Sequence, residues 1–361
     1  MAMHPDVVVV GAGIIGAACA QALKARGLTV LVIDRHGPAS GTSAAGEGNV
    51  LVSDKGPGPE LDLAKASREL WPELAQDAEW EEKGGLVVAT TPEASEPLKA
   101  FAAGQRAAGV DACELTADEA RSHEPHLNPE ITAAVHYLQD AQLNPVKATR
   151  TLLRGIDITR AEVSATDGRS VTTGDGVISC GAVVNAAGPW ARTFGVNVLP
   201  RRGVVLVTTP IPGTIRHKVY DADYVGAVAS GDADLQTSGV VESTQAGTVL
   251  IGSSRQRKGF DDAIESKVLK ALARRAIALF PMLAHVPVMR AYGGFRPYAP
   301  DHLPIIGEDP RIPGLWHATG HEGAGVGLAP ATGRLLADLM TGGTPLVDPR
   351  PFRVDRPEVM V

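Results

Sequence analysis

Gly11-Ala12-Gly13-Ile14-Ile15-Gly16 has the spacing of a backbone that wraps a pyrophosphate. Gly11 permits a sharp turn, Gly13 leaves no Cβ between chain and phosphate, and Gly16 lets a helix approach the preceding strand. Asp34, 18 residues beyond Gly16, stands where a carboxylate accepts hydrogen bonds from a ribose. A second glycine-rich stretch, Gly320-His321-Glu322-Gly323-Ala324-Gly325-Val326-Gly327-Leu328, lacks the phosphate spacing. A helix N-terminus there suits a group that becomes anionic without being a phosphate. Arg296, within Gly293-Gly294-Phe295-Arg296-Pro297-Tyr298, offers a guanidinium that can grip a carboxylate bidentately. A structural ion pair is the alternative for it. Tyr224 and Tyr298 could close a pocket or bind an amine; for both, as for Tyr220, core packing explains an aromatic equally well.

These groups need elements to hold them. Val7–Val10 is four β-branched residues in a row and predicts a buried parallel strand. A helix from about Ile14 to Lys24 and a strand over Leu28–Ile33 complete a strand–glycine–helix–strand unit. Small residues from Gly37 to Asn49 let backbone approach a ligand directly after Asp34. Helical spacing follows over Glu60–Glu82, with Trp71 and Trp80 read as core. The pattern then gives a strand over 85–90, a helix over Pro92–Ala108 and a short helix N-capped by Thr116, with Glu119 three positions on. Asn144-Pro145 opens a helix to about Leu153, followed by a strand near 161–163 and a hairpin at Asp167-Gly168. The strand Ala182–Asn185 runs into Ala186-Ala187-Gly188-Pro189-Trp190, a second backbone segment that reaches a nucleotide. Strands are expected over 203–209 and 248–254, and an amphipathic helix over Asp262–Phe280 with Ile264, Val268, Leu272, Ile277 and Phe280 on one side. The strand Leu315–Thr319 enters the second glycine-rich stretch, and a helix runs on to about Met340. The cofactor that fits a non-phosphate site at that helix start is a flavin, whose reduced ring carries charge near N1.

At 361 residues, with 44% hydrophobic, the chain is globular and suits two joined domains. No apolar run approaches the ~20 residues of a membrane span. Met1–Pro5 has no charged or apolar leader pattern, so a cytoplasmic location is expected. A net charge of -7 argues against nucleic acid, and the cluster Arg255, Arg257, Lys258 reads as a solvated loop. Cys19, Cys113 and Cys180 form no CxxC and fit reduced thiols, Cys19 as packing. His123, His126 and His136 lack a tight spacing with a carboxylate, so no metal centre is expected.

Taken together, GAGIIG, Asp34-Arg35, Ser43–Asn49, VVNAAGPW, GGFRPYAPDHLPIIG and TGHEGAGVGLAPATG resemble the D-amino-acid-oxidase-like superfamily of flavoproteins over nearly the whole chain. The ending is most similar to the glycine oxidase, D-hydroxyproline dehydrogenase and hydrogen-cyanide-synthase subunit branch. The resemblance implies an α/β fold: a discontinuous Rossmann-like FAD-binding domain around a parallel sheet, plus an α+β substrate domain with a mainly antiparallel sheet. The division expected is 1–84, 145–200 and 291–361 for FAD, with 85–144 and 201–290 for substrate.

By the same resemblance, Gly11, Gly13, Ile14, Ile15 and Gly16 hold the pyrophosphate, and Asp34 with Arg35 holds the adenosine end. Thr42, Ser43, Ala45, Gly46, Gly48 and Asn49 line the cofactor, and Val163 contacts adenine. Ala186, Ala187, Gly188 and Trp190 meet the nucleotide, while Gly294, Arg296 and the loop Gly320–Leu328 surround the isoalloxazine. Two departures stand out: Lys147–Val163 is shorter than usual before the adenine-contacting strand, and no cysteine lies near Arg296. FAD is therefore expected without a covalent link.

The activity implied is oxidation of an amino acid or N-alkyl amino acid (glycine, a D-amino acid, or a proline or hydroxyproline) to an imine, with hydride passing to flavin N5. Such a step needs placement more than an acid or base. The catalytic candidates are Arg296, Tyr224 and Tyr298. Electrons would pass to O2, a quinone or a partner subunit, and either a homo- or a hetero-oligomer is compatible. Two other readings stay open. The chain could be an electron-transferring subunit with little activity alone, or a dehydrogenase using NAD(P).

Overall fold

The computed structural model describes residues 4–361; Met1–Met3, part of the stretch read for a leader, lie outside the described residues. A six-stranded sheet is built in the order Ile305–Glu308, Leu315–Thr319, Ala182–Asn185, Val7–Val10, Val30–Asp34 and Asp157–Arg160. All its pairings are parallel except the edge pair of Ile305–Glu308 with Leu315–Thr319. The valines of Val7–Val10 are buried on both faces, which is why that strand carries no alternation. One face packs on the helices Ile14–Ala25 and Gly325–Thr341. These helices touch backbone to backbone, because a Cβ at Gly333 would run into the Ala18 carbonyl. The other face is covered by the antiparallel three-stranded sheet of 163–179.

An eight-stranded sheet follows the order Val288–Tyr298, Leu199–Thr208, Val249–Arg255, Gln236–Ser243, Lys218–Asp221, Gly85–Ala89, Ala133–Tyr137 and Ala112–Leu115. It is antiparallel except where Lys218–Asp221 runs beside Gly85–Ala89. The helix Ser266–Leu279 seals one face through Val268, Leu272, Ala276 and Leu279. The fold class read from the sequence is the one observed.

Several boundaries differ, each for a local reason. A division at 291 cuts through Val288–Tyr298, which pairs along its length with Leu199–Thr208 in the eight-stranded sheet. The helix begun at Pro59 stops at Leu74, and Glu81 pairs with Gln142 instead. Trp80 is only half-buried, beneath Arg68 at 4.9 Å, whereas Trp71 is fully buried. The strand expected near 161–163 is two strands, Asp157–Arg160 and Val163–Thr166; the first is exposed and polar, so its alternation carries no signal. The helix expected from Asp262 begins only at Ser266, leaving Ile264 exposed and outside its apolar face.

Candidate active site

Between the two large sheets lies a cavity of about 880 Å³, near the top of the ~300–1,000 Å³ range of small-molecule sites. One end is made by the first glycine turn. Gly11 has φ +112, and a Cβ there would collide with the carbonyl oxygen of Ala186. A Cβ at Gly16 would run into the Gly11 carbonyl, so this glycine serves helix–turn packing and does not line the cavity. Asp34 locks the turn: Oδ2 accepts the Ala12 N–H at 2.9 Å, and Oδ1 accepts those of His36 and Gly37 at 2.8 Å. Ser43 Oγ accepts the N–H of Ile14 at 2.8 Å, which puts a hydroxyl on the helix N-terminus. Arg35 lies over Trp190, 4.1 Å from the ring centroid.

The cavity lining contains Gly11, Gly13, Ile14, Ile15, Asp34, Arg35, Thr42, Ser43, Ala45, Gly46, Gly48, Asn49 and Val163. It also contains Ala186, Ala187, Gly188, Trp190, Gly294, Arg296, His321, Glu322, Gly323, Gly325, Val326 and Tyr224. Gly320, Ala324, Gly327 and Leu328 lie behind it, Leu328 being fully buried. Tyr298 is also outside the lining. Its ring packs against His302 at 5.2 Å, with Arg201 and Arg257 over it at 5.4 and 5.3 Å. The pocket role expected for Tyr298 is thereby replaced by a packing role. Tyr220 is buried with its hydroxyl donating to Ser53 Oγ at 2.5 Å.

The opposite end is strongly cationic. Arg296 donates Nη1 to the Ser254 carbonyl at 2.8 Å. Arg201 stands directly opposite it across the strand pair, an arrangement of like charges that is unfavourable unless compensated. Glu322 supplies part of that compensation, its Oε1 lying 2.8 Å from Arg201 Nη1 and 3.7 Å from Arg255 Nε. Glu322 holds φ +45, a left-handed conformation costly for a residue with a Cβ. Burial, and then the Arg255 charge, lower the Arg296 pKa to about 10, so it stays protonated at neutral pH. Burial pushes His321 down to about 3, leaving a neutral imidazole whose Nε2 meets Thr332 Oγ1 at 2.9 Å. Tyr224 sits under Arg255, 4.7 Å from its guanidinium.

Two groups escaped the sequence reading. Arg255 is not part of a solvated loop; it ends the strand Val249–Arg255 and is 2% exposed. Its neighbours Arg257 and Lys258 share its charge, and nothing in the spacing separates the buried one. Glu47 lines the cavity with Oε1 buried and unpartnered among the described residues.

The cradle fits a flavin dinucleotide: an unobstructed backbone and a helix N-terminus at one end, cationic and neutral donors at the other. Residues 6–339 match the family of FAD dependent oxidoreductases known as DAO. The chain belongs to this family and is an FAD-dependent oxidoreductase. It is 30% identical to a glycine oxidase of Pseudomonas aeruginosa, over 97% of this chain and 98% of that protein. It is 27% identical to hydrogen cyanide synthase subunit HcnC of Pseudomonas protegens, over 99% and 97% of the two chains. The crystal structure of glycine oxidase from Geobacillus kaustophilus superposes with a TM-score of 0.88 at 27% identity, covering 98% of this chain and 99% of that one. Among the described residues no helix is long and apolar enough to cross a membrane.

Proposed function

We propose that this chain oxidises the C–N bond of an amino acid or N-alkyl amino acid of the glycine, D-amino-acid or proline type. The observation that carries this reading is Arg296, a half-buried guanidinium on the cavity wall with one donor held by Ser254. Arg201 and Arg255 share one carboxylate, Glu322, while Arg296 beside them has no ion-pair partner among the described residues, an arrangement that suits an anionic ligand. Nε and Nη2 of Arg296 are left to clasp the substrate carboxylate. Tyr224 closes the pocket beside it. FAD, when bound without a covalent link, supplies the hydride acceptor. Everything else the chain does is positional: gripping the carboxylate fixes where the Cα–H points, and the Tyr224 ring excludes water.

In this reading residues 1–84, 145–198 and 299–361 carry the cofactor, and 85–144 with 199–298, which keeps both paired strands whole, cover the substrate. The kinship with glycine oxidases and with HcnC supports the substrate class and leaves two routes for the electrons, O2 or a partner subunit. A cytoplasmic location agrees with three free cysteines among the described residues. The test is product analysis with glycine, sarcosine and D- and L-proline, trapping the carbonyl compound and assaying peroxide in parallel. An α-keto or α-imino acid product is expected; oxidation of amines without a carboxylate at equal rate would overturn the reading.

A further inference from the structure

We propose that His123, His136 and His217 form a site for a divalent, zinc-class cation on the outer part of the eight-stranded sheet. The three imidazoles arrive from separate elements: the C-terminal residue of the helix Ala117–His123, the strand Ala133–Tyr137, and the residue before the strand Lys218–Asp221. One nitrogen from each lies within 4.8 Å of the other two. Their ring centroids are 4.8, 5.7 and 5.3 Å apart, and the planes are tilted by 48° to 88°. Rings so tilted do not stack, and their nitrogens lie close enough together to share one cation. None of the three lines the active-site cavity.

The surroundings are those of a ligand set. Glu124 is fully buried, and its Oε1 accepts from His217 Nδ1 at 3.0 Å and from the backbone N–H of Arg216 at 2.7 Å and of His217. That contact fixes the tautomer of His217: Nδ1 carries the proton and Nε2 presents its lone pair. A carboxylate behind a histidine is the arrangement that orients metal-ligating imidazoles and raises their basicity. Among the described residues, His123 and His136 make no side-chain hydrogen bond of their own. Three imidazole nitrogens favour Zn2+, which takes three protein nitrogens and a water at ~2.0–2.1 Å. Tetrahedral bonds of that length put the nitrogens roughly 3.3 Å apart, so the rings must close by about 1.5 Å, within the reach of side-chain rotation. Bound there, the cation ties a seven-residue helix to two strands of the sheet.

The test uses untagged, FAD-loaded protein freed of metal with a chelator and titrated with Zn2+ at pH 7.5 by calorimetry, with thermal unfolding followed in parallel. One equivalent is expected to bind saturably and raise Tm. His123→Ala and His217→Gln, each checked for an unchanged flavin spectrum, should weaken binding at least about tenfold and lose the Tm rise. No saturable binding by the wild type, or a stoichiometric isotherm that persists in both variants, would overturn the proposal.

Discussion

Replacing Arg296 by Leu removes the group that the proposed mechanism relies on for substrate. Nη1 is bound to Ser254 at 2.8 Å, so Nε and Nη2 remain for a carboxylate. Two charge-assisted hydrogen bonds at about 1.5–3 kcal/mol each give a loss of about 3–6 kcal/mol, or about 10²- to 10⁴-fold in kcat/KM. The fold should survive, because Glu322 keeps its 2.8 Å pairing with Arg201 and stays near Arg255. Removing Arg296 also relieves its opposition to Arg201 across the strand pair. The assay is steady-state kinetics on sarcosine and on dimethylamine, which lacks the carboxylate, with flavin content measured in each preparation. The loss should fall on sarcosine, mainly as a raised KM, and leave dimethylamine almost unaffected. Arg296→Lys should fall between, since a point charge replaces a fork. An unchanged KM for sarcosine, or an equal loss for both compounds, would refute the reasoning.

Three further outcomes follow from the geometry. Gly11→Ala drives a Cβ into the Ala186 carbonyl at φ +112, so the purified protein should carry little FAD; full flavin stoichiometry would contradict this. Trp71→Phe keeps an aromatic but loses the Nε1–H bond to the Val326 carbonyl at 3.1 Å, which should lower stability by about 1 kcal/mol in urea unfolding. Asp140 is fully buried, and burial raises its pKa to about 6 despite hydrogen bonds from Ser53 and the Val52 amide. A carboxyl raised in the folded state holds its proton longer than in the unfolded chain, so stability falls as pH rises from about 4 to about 6 and then levels. That shift corresponds to about 3 kcal/mol, and urea midpoints of wild type against Asp140→Asn across that window should diverge as pH rises. Parallel midpoints would contradict it.

The parts of the molecule legible in the sequence are those whose signal is local. Val7–Val10, the glycine turn and Asp34 lie within one short unit, and each residue type is demanded by backbone geometry there. The capping box at Thr116 and Glu119 is equally local, and both of its hydrogen bonds are present. What escaped depends on register between distant strands. Arg201 faces Arg296 only because Leu199–Thr208 pairs with Val288–Tyr298. Arg255 is buried because its strand is internal to the sheet, whereas its sequence neighbours look the same and are more exposed. His217 joins His123 and His136 through the pairing of Lys218–Asp221 with Gly85–Ala89, which no spacing along the chain reveals. Tyr298, two residues beyond Arg296 on the same strand, lies farther along it and ends outside the cavity, a difference in depth that residue type alone does not reveal.

The most direct test of the central claim is an anaerobic visible titration of the FAD-loaded protein with glycine, sarcosine, D- and L-proline and other D-amino acids. The flavin bands should bleach with at least one of them, and admission of air then separates an oxidase, whose bands return, from an enzyme that hands its electrons to a partner. Flavin bands that stay unbleached by every amino acid in the set, yet respond to an amine lacking a carboxylate, would contradict it.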